Sequence, residues 1–470
     1  MSASHSSESR DYRVKGGFLA NAWKIFAAVA AAGLGGAFAL GAGDGKRFAF
    51  AYLFGFATVF AISLGALFFV IVQHLTSAGW SVTVRRGAEF MMVALPVMAL
   101  LFVPVLLTKT SELYPWYHVM QQSGHAPEHA APAHGEHAAP AHDEHAAPAH
   151  GEHAAGGHGD AHEAWTPGHR MTQDQIEHHE HHELLEGKRW YLGLNFFWGR
   201  LVIYLVAWVW LARTFFKNST AQDATKDIVH SQRSARVAPI AVTVFALSLT
   251  FAAFDWLMSL QPEWPSTIFG VWFFAASVVS SFAALVLLSG LFRASGVVGN
   301  AINTEHFHDL GKLLFGFNCF WAYISFSQFF LIWYASIPEE TVFYHIRWGE
   351  GPWTPVSLSI VFLHFFAPFL LLISRNTKRY FGQKLLYLGA TLVLVMHVVE
   401  MYWLVLPNYA AQTNVSAGDP HALAPSIVDV LALVGFIGAF LAVVFFNAAK
   451  HPLVPVGDPR LHRALHLENA

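Results

Sequence analysis

Long apolar runs alternate with short polar connectors along this chain, and the length of the runs dictates the architecture. A helix crossing a hydrocarbon layer of about 30 Å needs roughly 20 mostly apolar residues. Such runs lie near residues 18 to 42, 50 to 74, 87 to 108, 191 to 214, 237 to 258, 266 to 292, 310 to 334, 355 to 374, 384 to 406 and 426 to 447. The pattern predicts an all-α polytopic membrane protein of about ten transmembrane helices. Pro96 and Pro104 in the third run and Pro368 in the eighth predict kinks. Gly33, Gly35, Gly36, Gly55 and Gly65 predict close helix contact. The polar start, MSASHSSESRDYRVKG, meets the first run without a short apolar core and cleavage site, so the first helix is expected to be retained.

Composition agrees with that reading: of 470 residues, 54% are hydrophobic and 13% charged, and the mean hydropathy is +0.40. The single cysteine, Cys319, excludes an internal disulfide, a four-cysteine iron–sulfur site within this chain and a CxxCH haem attachment. A net charge of -3 gives no reason to invoke nucleic acid. Lys and Arg concentrate in alternate connectors: Arg10, Arg13 and Lys15; Arg85 and Arg86; Arg213 to Arg236; Arg375 to Lys384; and Lys450 to Arg463. Lys46 and Arg47 are the exception. The positive-inside rule then expects both termini in the cytoplasm. Asp255, Glu263 and the loop from Pro338 to Pro352 would face the outer side.

The expected layout is a tail at 1–17, helices one to three within 18–117, a connector at 118–187, helices four to ten within 188–449 and a tail at 450–470. The connector repeats EHAAPAHG, EHAAPAHD and EHAAPAHG from Glu128, Glu136 and Glu144. Such Ala, Pro, His and Glu tracts cannot bury a core and predict a disordered, outer-side loop. Closely spaced imidazoles suit zinc, yet a floppy octad fixes no ligand geometry, so no defined metal site is assigned.

The polar residues inside the runs carry the candidate chemistry, because an ionisable group at that depth is costly unless it is used. In FDWLMSLQPEWPSTIFGVWFFA, Asp255 ends one run and Glu263 precedes the next. Arg200 lies too deep in the fourth run for easy snorkelling and asks for a carboxylate, with Asp255 the first choice. At the opposite face come Gln73, His74, Arg86 and Glu89, with an Arg86–Glu89 i,i+3 pair, and then His308, Asp309 and Lys312 at the start of the seventh run. His364 and His397 each lie about nine residues from the outer ends of the eighth and ninth runs, hence at similar depth at about 1.5 Å per residue. Glu400 shares a face with His397. A proton relay, a haem clamp and plain structural hydrogen bonding all fit this trio.

The segments FDWLMSLQPEWPSTIFGVWFF, HDLGKLLFGFNCFWAYISFSQFFLIWYASIPEET and HVVEMYWLVLP, with HLTSAGWSVTVRRGAE, closely resemble the NrfD-like membrane subunits of Alternative Complex III, and most of all its F subunit. The resemblance covers all ten runs and omits the His-rich repeat. It implies two four-helix bundles plus a peripheral helix pair. It also implies a complex with a paralogous C subunit, multihaem and monohaem cytochromes c and an iron–sulfur subunit, with menaquinol or ubiquinol as substrate of the complex. The paralogue carries a quinol-associated histidine in its second span, where this chain has ISLGALFF with Leu64 and Gly65. The resemblance therefore transfers no quinol ligand to that position.

The resulting expectation is a subunit that binds no cofactor of its own and contributes proton conduction and architecture to quinol oxidation. An outer-side cluster of Asp255, His364, His397 and Glu400 would have Arg200 as electrostatic partner. An inner-side cluster would use Glu89, His308, Asp309 and Lys312. Two alternatives stand beside it: a quinone site with Asp255 or His397 as proton acceptor, and a membrane anchor whose buried charges only pair helices.

Overall fold

The structure is a computed structural model that describes residues 11–123, 184–185, 187–349, 351–379, 383–416, 418–423 and 425–468. Ten helices are long and apolar enough to cross a membrane. They are α1 (Phe18–Gly41), α2 (Gly45–Leu75), α3 (Val82–Leu113), α4 (Leu194–Thr225), α5 (Val229–Trp256), α6 (Phe269–Ala294), α7 (Thr304–Ala335), α8 (Trp353–Leu372), α9 (Lys384–Gln412) and α10 (Ile427–Lys450). The His-rich repeat of the connector lies outside the described residues.

Two helices form the centre. α2 is buried almost continuously from Phe48 to His74, and α6 from Phe269 to Ser289, as expected for helices that are apolar on every side. α3, α5, α9 and α10 pack on α2, and α5, α7 and α9 pack on α6. α1 runs along α10, where a Cβ added to Gly33 would lie 2.6 Å from the Cα of Gly435. Gly65 likewise lets α2 meet α6, since a Cβ there would lie 2.0 Å from the Ser277 carbonyl oxygen. Gly35, by contrast, faces open space and makes no such contact.

Prolines shape two of the spans. α3 breaks at Val93 and Ala94, just before Pro96, whose ring nitrogen has no hydrogen to give the preceding turn. Pro104 lies within the second half of α3 without interrupting it. In α8 a π turn from Ile360 to Phe366 stands immediately before Pro368, which cannot donate to the His364 carbonyl four residues back. Wide turns of this kind re-aim side chains and recur at functional sites.

The first and last described segments meet at one end of the bundle, the terminal end, where the Leu453 amide donates to the Tyr12 carbonyl at 3.0 Å. At the far end, Gln412 donates to the Leu113 and Leu260 carbonyls. The exceptional positive pair of the sequence is engaged there: Lys46 donates to the Gln412 carbonyl and Arg47 pairs with Asp429.

Candidate functional site

Three groups of buried ionisable side chains occupy three levels of the bundle. At the far end, Arg200 of α4 meets Asp255, one residue from the end of α5. Its Nε donates to Oδ2 at 2.9 Å and a terminal nitrogen to Oδ1 at 2.8 Å. The third guanidinium nitrogen donates to the Tyr191 carbonyl at 2.9 Å, and the Tyr204 hydroxyl donates to Oδ2 of Asp255 at 3.0 Å. The rings of Tyr191 and Phe196 lie 3.9 and 4.3 Å from the guanidinium carbon. Every charged atom here has a partner, and the fork geometry is the strong form of the pair.

At the terminal end α3 begins with Arg85 and Arg86, whose side chains reach Glu89 one turn on, both at 3.0 Å. Arg85 continues to Asp458 and Arg86 to Asp223, each at 2.8 Å, and Ser219 donates to the second oxygen of Glu89 at 2.7 Å. Arg460 closes the group on Asp458 at 3.0 Å. Three arginines therefore face three carboxylates. Burial alone would push the Asp458 carboxyl up, but Arg85 and Arg460 hold it well below its ordinary range. His308, Asp309 and Lys312 pair within α7, with Lys312 Nζ 2.5 Å from Asp309 and half exposed. The grouping of Glu89 with these three α7 residues is thus replaced by a different one: the two arginines on Glu89's own helix take its oxygens.

The third group lies in mid-bundle and joins α7, α8 and α9. Glu400 is 12 residues from the end of α9 and His364 is 11 from the start of α8. At about 1.5 Å per residue both lie some 16 to 18 Å from the far end, near the middle of a 30 Å layer. The Trp321 indole donates to Oε1 of Glu400 at 2.7 Å and its ring lies 3.9 Å from that of His364. The other oxygen, Oε2, has no hydrogen-bond partner and stands 3.8 Å from Nδ1 of both His364 and His397. His364 has no partner on either ring nitrogen. His397 Nε2 lies 3.0 Å from the Thr58 carbonyl. A carbonyl only accepts, so Nε2 carries the hydrogen, and the neutral ring then aims a bare Nδ1 lone pair at Oε2 of Glu400. With the ring neutral and the carboxyl ionised, two acceptors face one another at 3.8 Å, a conflict that one added proton relieves.

The equal depth expected of His364 and His397 is present, and so is the Arg200–Asp255 pair. The two sets do not merge: Asp255 is held by Arg200 and Tyr204, whereas the histidines gather on Glu400. Sequence reasoning missed Trp321, Asp223 and Asp458. It also missed Arg347, a buried cation that donates to the carbonyls of Phe343, Trp403 and Leu404 and stacks on the rings of Phe343 and Trp403. Burial pushes its guanidinium down to about 9. The signal was Pro407, just past the ninth run and inside α9, which has no amide hydrogen for the Trp403 carbonyl; Arg347 supplies the missing donor. His397 also borders an apolar cavity of about 380 Å³ bounded by α1, α2, α3, α6, α9 and α10. Among the described residues, no group of three or more His, Cys, Asp or Glu side chains is placed to hold a metal ion.

Ten apolar helices enclosing paired charges define the class: the chain is a multi-pass integral membrane protein. No protein-family model matches it and no curated protein matches it.

Proposed function

We propose that this chain is the NrfD-like F subunit of an Alternative Complex III, a quinol:electron-acceptor oxidoreductase of a bacterial inner membrane, with its termini in the cytoplasm. Within that complex it handles protons and supports architecture, and it binds no redox cofactor of its own. Its partners in this reading are the paralogous C subunit, the multihaem and monohaem cytochromes c and the iron–sulfur subunit. The observation that carries the proton role is Oε2 of Glu400, without a hydrogen-bond partner and 3.8 Å from the Nδ1 atoms of His364 and His397. An ion pair that only joined helices would leave no such acceptor open in the interior. Oxidising a quinol releases protons, and a route through a membrane needs groups able to take and return them. Glu400 is assigned as the proton-carrying acid, His364 and His397 as its exchange partners, and Trp321 as the residue that fixes the carboxyl.

Reduced-minus-oxidised infrared difference spectroscopy of the membrane complex tests this. A carboxyl band that appears on turnover and disappears in Glu400→Gln is expected; a spectrum unchanged by that substitution contradicts the assignment.

A further inference from the structure

One face of α4 is graded from apolar to cationic along its length. A shallow groove of about 450 Å³ lies along its outer side, over Val206, Val209, Trp210, Arg213 and Lys217. A second hollow, of about 340 Å³, lies at the terminal end, where Thr220 and Ala224 of α4 meet Arg13, Lys226 and His451. Val206, Val209, Arg213, Lys217, Thr220 and Ala224 follow one another at steps of three or four, so the two hollows share a single stripe of the helix.

The stripe changes character at the depth where a hydrocarbon layer ends. Arg213 is 19 residues beyond Leu194, the far-end start of α4, hence about 29 Å along the helix, close to the full thickness of such a layer. On the layer side the stripe is apolar and open, with Val206 61% and Trp210 53% exposed. Past it come Arg213, Lys217 and Lys226, all exposed and none paired with a carboxylate among the described residues. The two carboxylates of the hollow are already engaged. Asp223 accepts from Arg86 at 2.8 Å and from the Gly457 amide at 3.3 Å, and Asp11 lies 3.4 Å from Lys15 and 4.0 Å from Arg13. The His451 imidazole feels the surplus: burial, and then the charges of Arg86, Arg13 and Lys450, hold it below its ordinary value. An apolar groove, two cations one turn apart at the layer's edge and a positive polar hollow beyond them match, level by level, the acyl chain, phosphate and head group of an anionic glycerophospholipid. Trp210, just inside that edge, is the residue type that anchors there.

We infer that this stripe binds one anionic phospholipid, with its phosphate between Arg213 and Lys217, an acyl chain along Val206 and Trp210, and its head group in the hollow of Lys226 and His451. The site is independent of the proton assignment, since none of these residues belongs to the Glu400 group.

Photocrosslinking tests it with the chain in its intact membrane assembly, in phosphatidylcholine bilayers holding a small fraction of phosphatidylglycerol that carries a diazirine beside the glycerol. Mass spectrometry should place the label between Trp210 and Lys226. It should be displaced by unlabelled phosphatidylglycerol and not by inorganic phosphate, and a phosphatidylcholine probe with the same chains should label far less. Arg213→Gln with Lys217→Gln should lower labelling about thirtyfold, at roughly fivefold for each cation near a membrane surface. Arg233 and Arg236 of α5 are exposed cations of the same connector that line neither hollow. Arg233→Gln with Arg236→Gln removes the same charge and should leave labelling near the wild-type level. If either double variant does not assemble, the contrast between the two lipids on the wild-type protein decides. Absence of label from α4, equal labelling by the two lipids, displacement by inorganic phosphate, or equal loss in the two double variants, which would mark diffuse attraction to a basic surface, overturns the inference.

Discussion

Arg200–Asp255 and His364–Glu400–His397 are both buried ionisable groups in an apolar bundle, yet they are built to opposite ends. In the first, all three guanidinium nitrogens and both carboxylate oxygens are bonded, and two aromatic rings close over the cation. In the second, a carboxylate oxygen and three imidazole nitrogens have no hydrogen-bond partner. A satisfied pair resists change in charge, because removing either member strands the other in low dielectric. An unsatisfied cluster has several arrangements of its hydrogens that differ little in contacts. The cost of burial is similar; what differs is whether the remaining bonding capacity has been used.

The largest effect should come from breaking the closed pair. Arg200→Met leaves Asp255 buried without its cation and should destabilise the protein by about 3–5 kcal/mol, whereas Arg200→Met with Asp255→Leu should recover most of that loss. Unfolding in mixed micelles measures both. If the single and double variants are equally unstable, the pair is not closed in the sense argued here.

Trp321→Phe comes next. It keeps the ring against His364 but removes the donor to Glu400, and about 1–3 kcal/mol of stability should go with it. Glu400→Gln should cost less than that, because an amide still accepts from the indole. A reversed order would mean that the cluster is held by charge and not by the indole hydrogen bond.

The smallest effect concerns the terminal-end network. The Asp458 carboxyl is held below its ordinary value of 3.8 by Arg85 and Arg460, which outweigh burial. A carboxyl depressed in the folded state stabilises it fully above that ordinary value, and the contribution is lost as pH falls from there through the folded value. Amide exchange of the segment from Leu453 to Leu461 should therefore quicken in acid, beyond the intrinsic rate change, and Asp458→Asn should remove most of the difference. Protection independent of pH would contradict the role given to Asp458.

Much of the far-end pair was legible in the sequence, since an arginine deep in one run and an aspartate at the matching end of the next leave few other partners. The equal depth of His364 and His397 followed from counting residues along two helices, and the Arg86–Glu89 pair from helical spacing. What was not legible depends on contacts that cross the chain. Asp458 reaches Arg85 across 373 positions and Trp321 reaches Glu400 across 79, and no local pattern marks either. The π turn before Pro368 is a similar case, because the sequence shows a proline but not which way the preceding turn relaxes. Arg347 could have been suspected from the carbonyl that Pro407 leaves without its amide, though not identified by name.

The most direct test of the central claim is the ratio of protons moved to electrons transferred, measured in vesicles holding the assembled complex. Glu400→Gln should lower that ratio, while the Arg200→Met, Asp255→Leu double variant, which removes two buried charges elsewhere in the bundle, should leave it near the wild-type value. An unchanged ratio in Glu400→Gln with normal electron transfer would contradict the account.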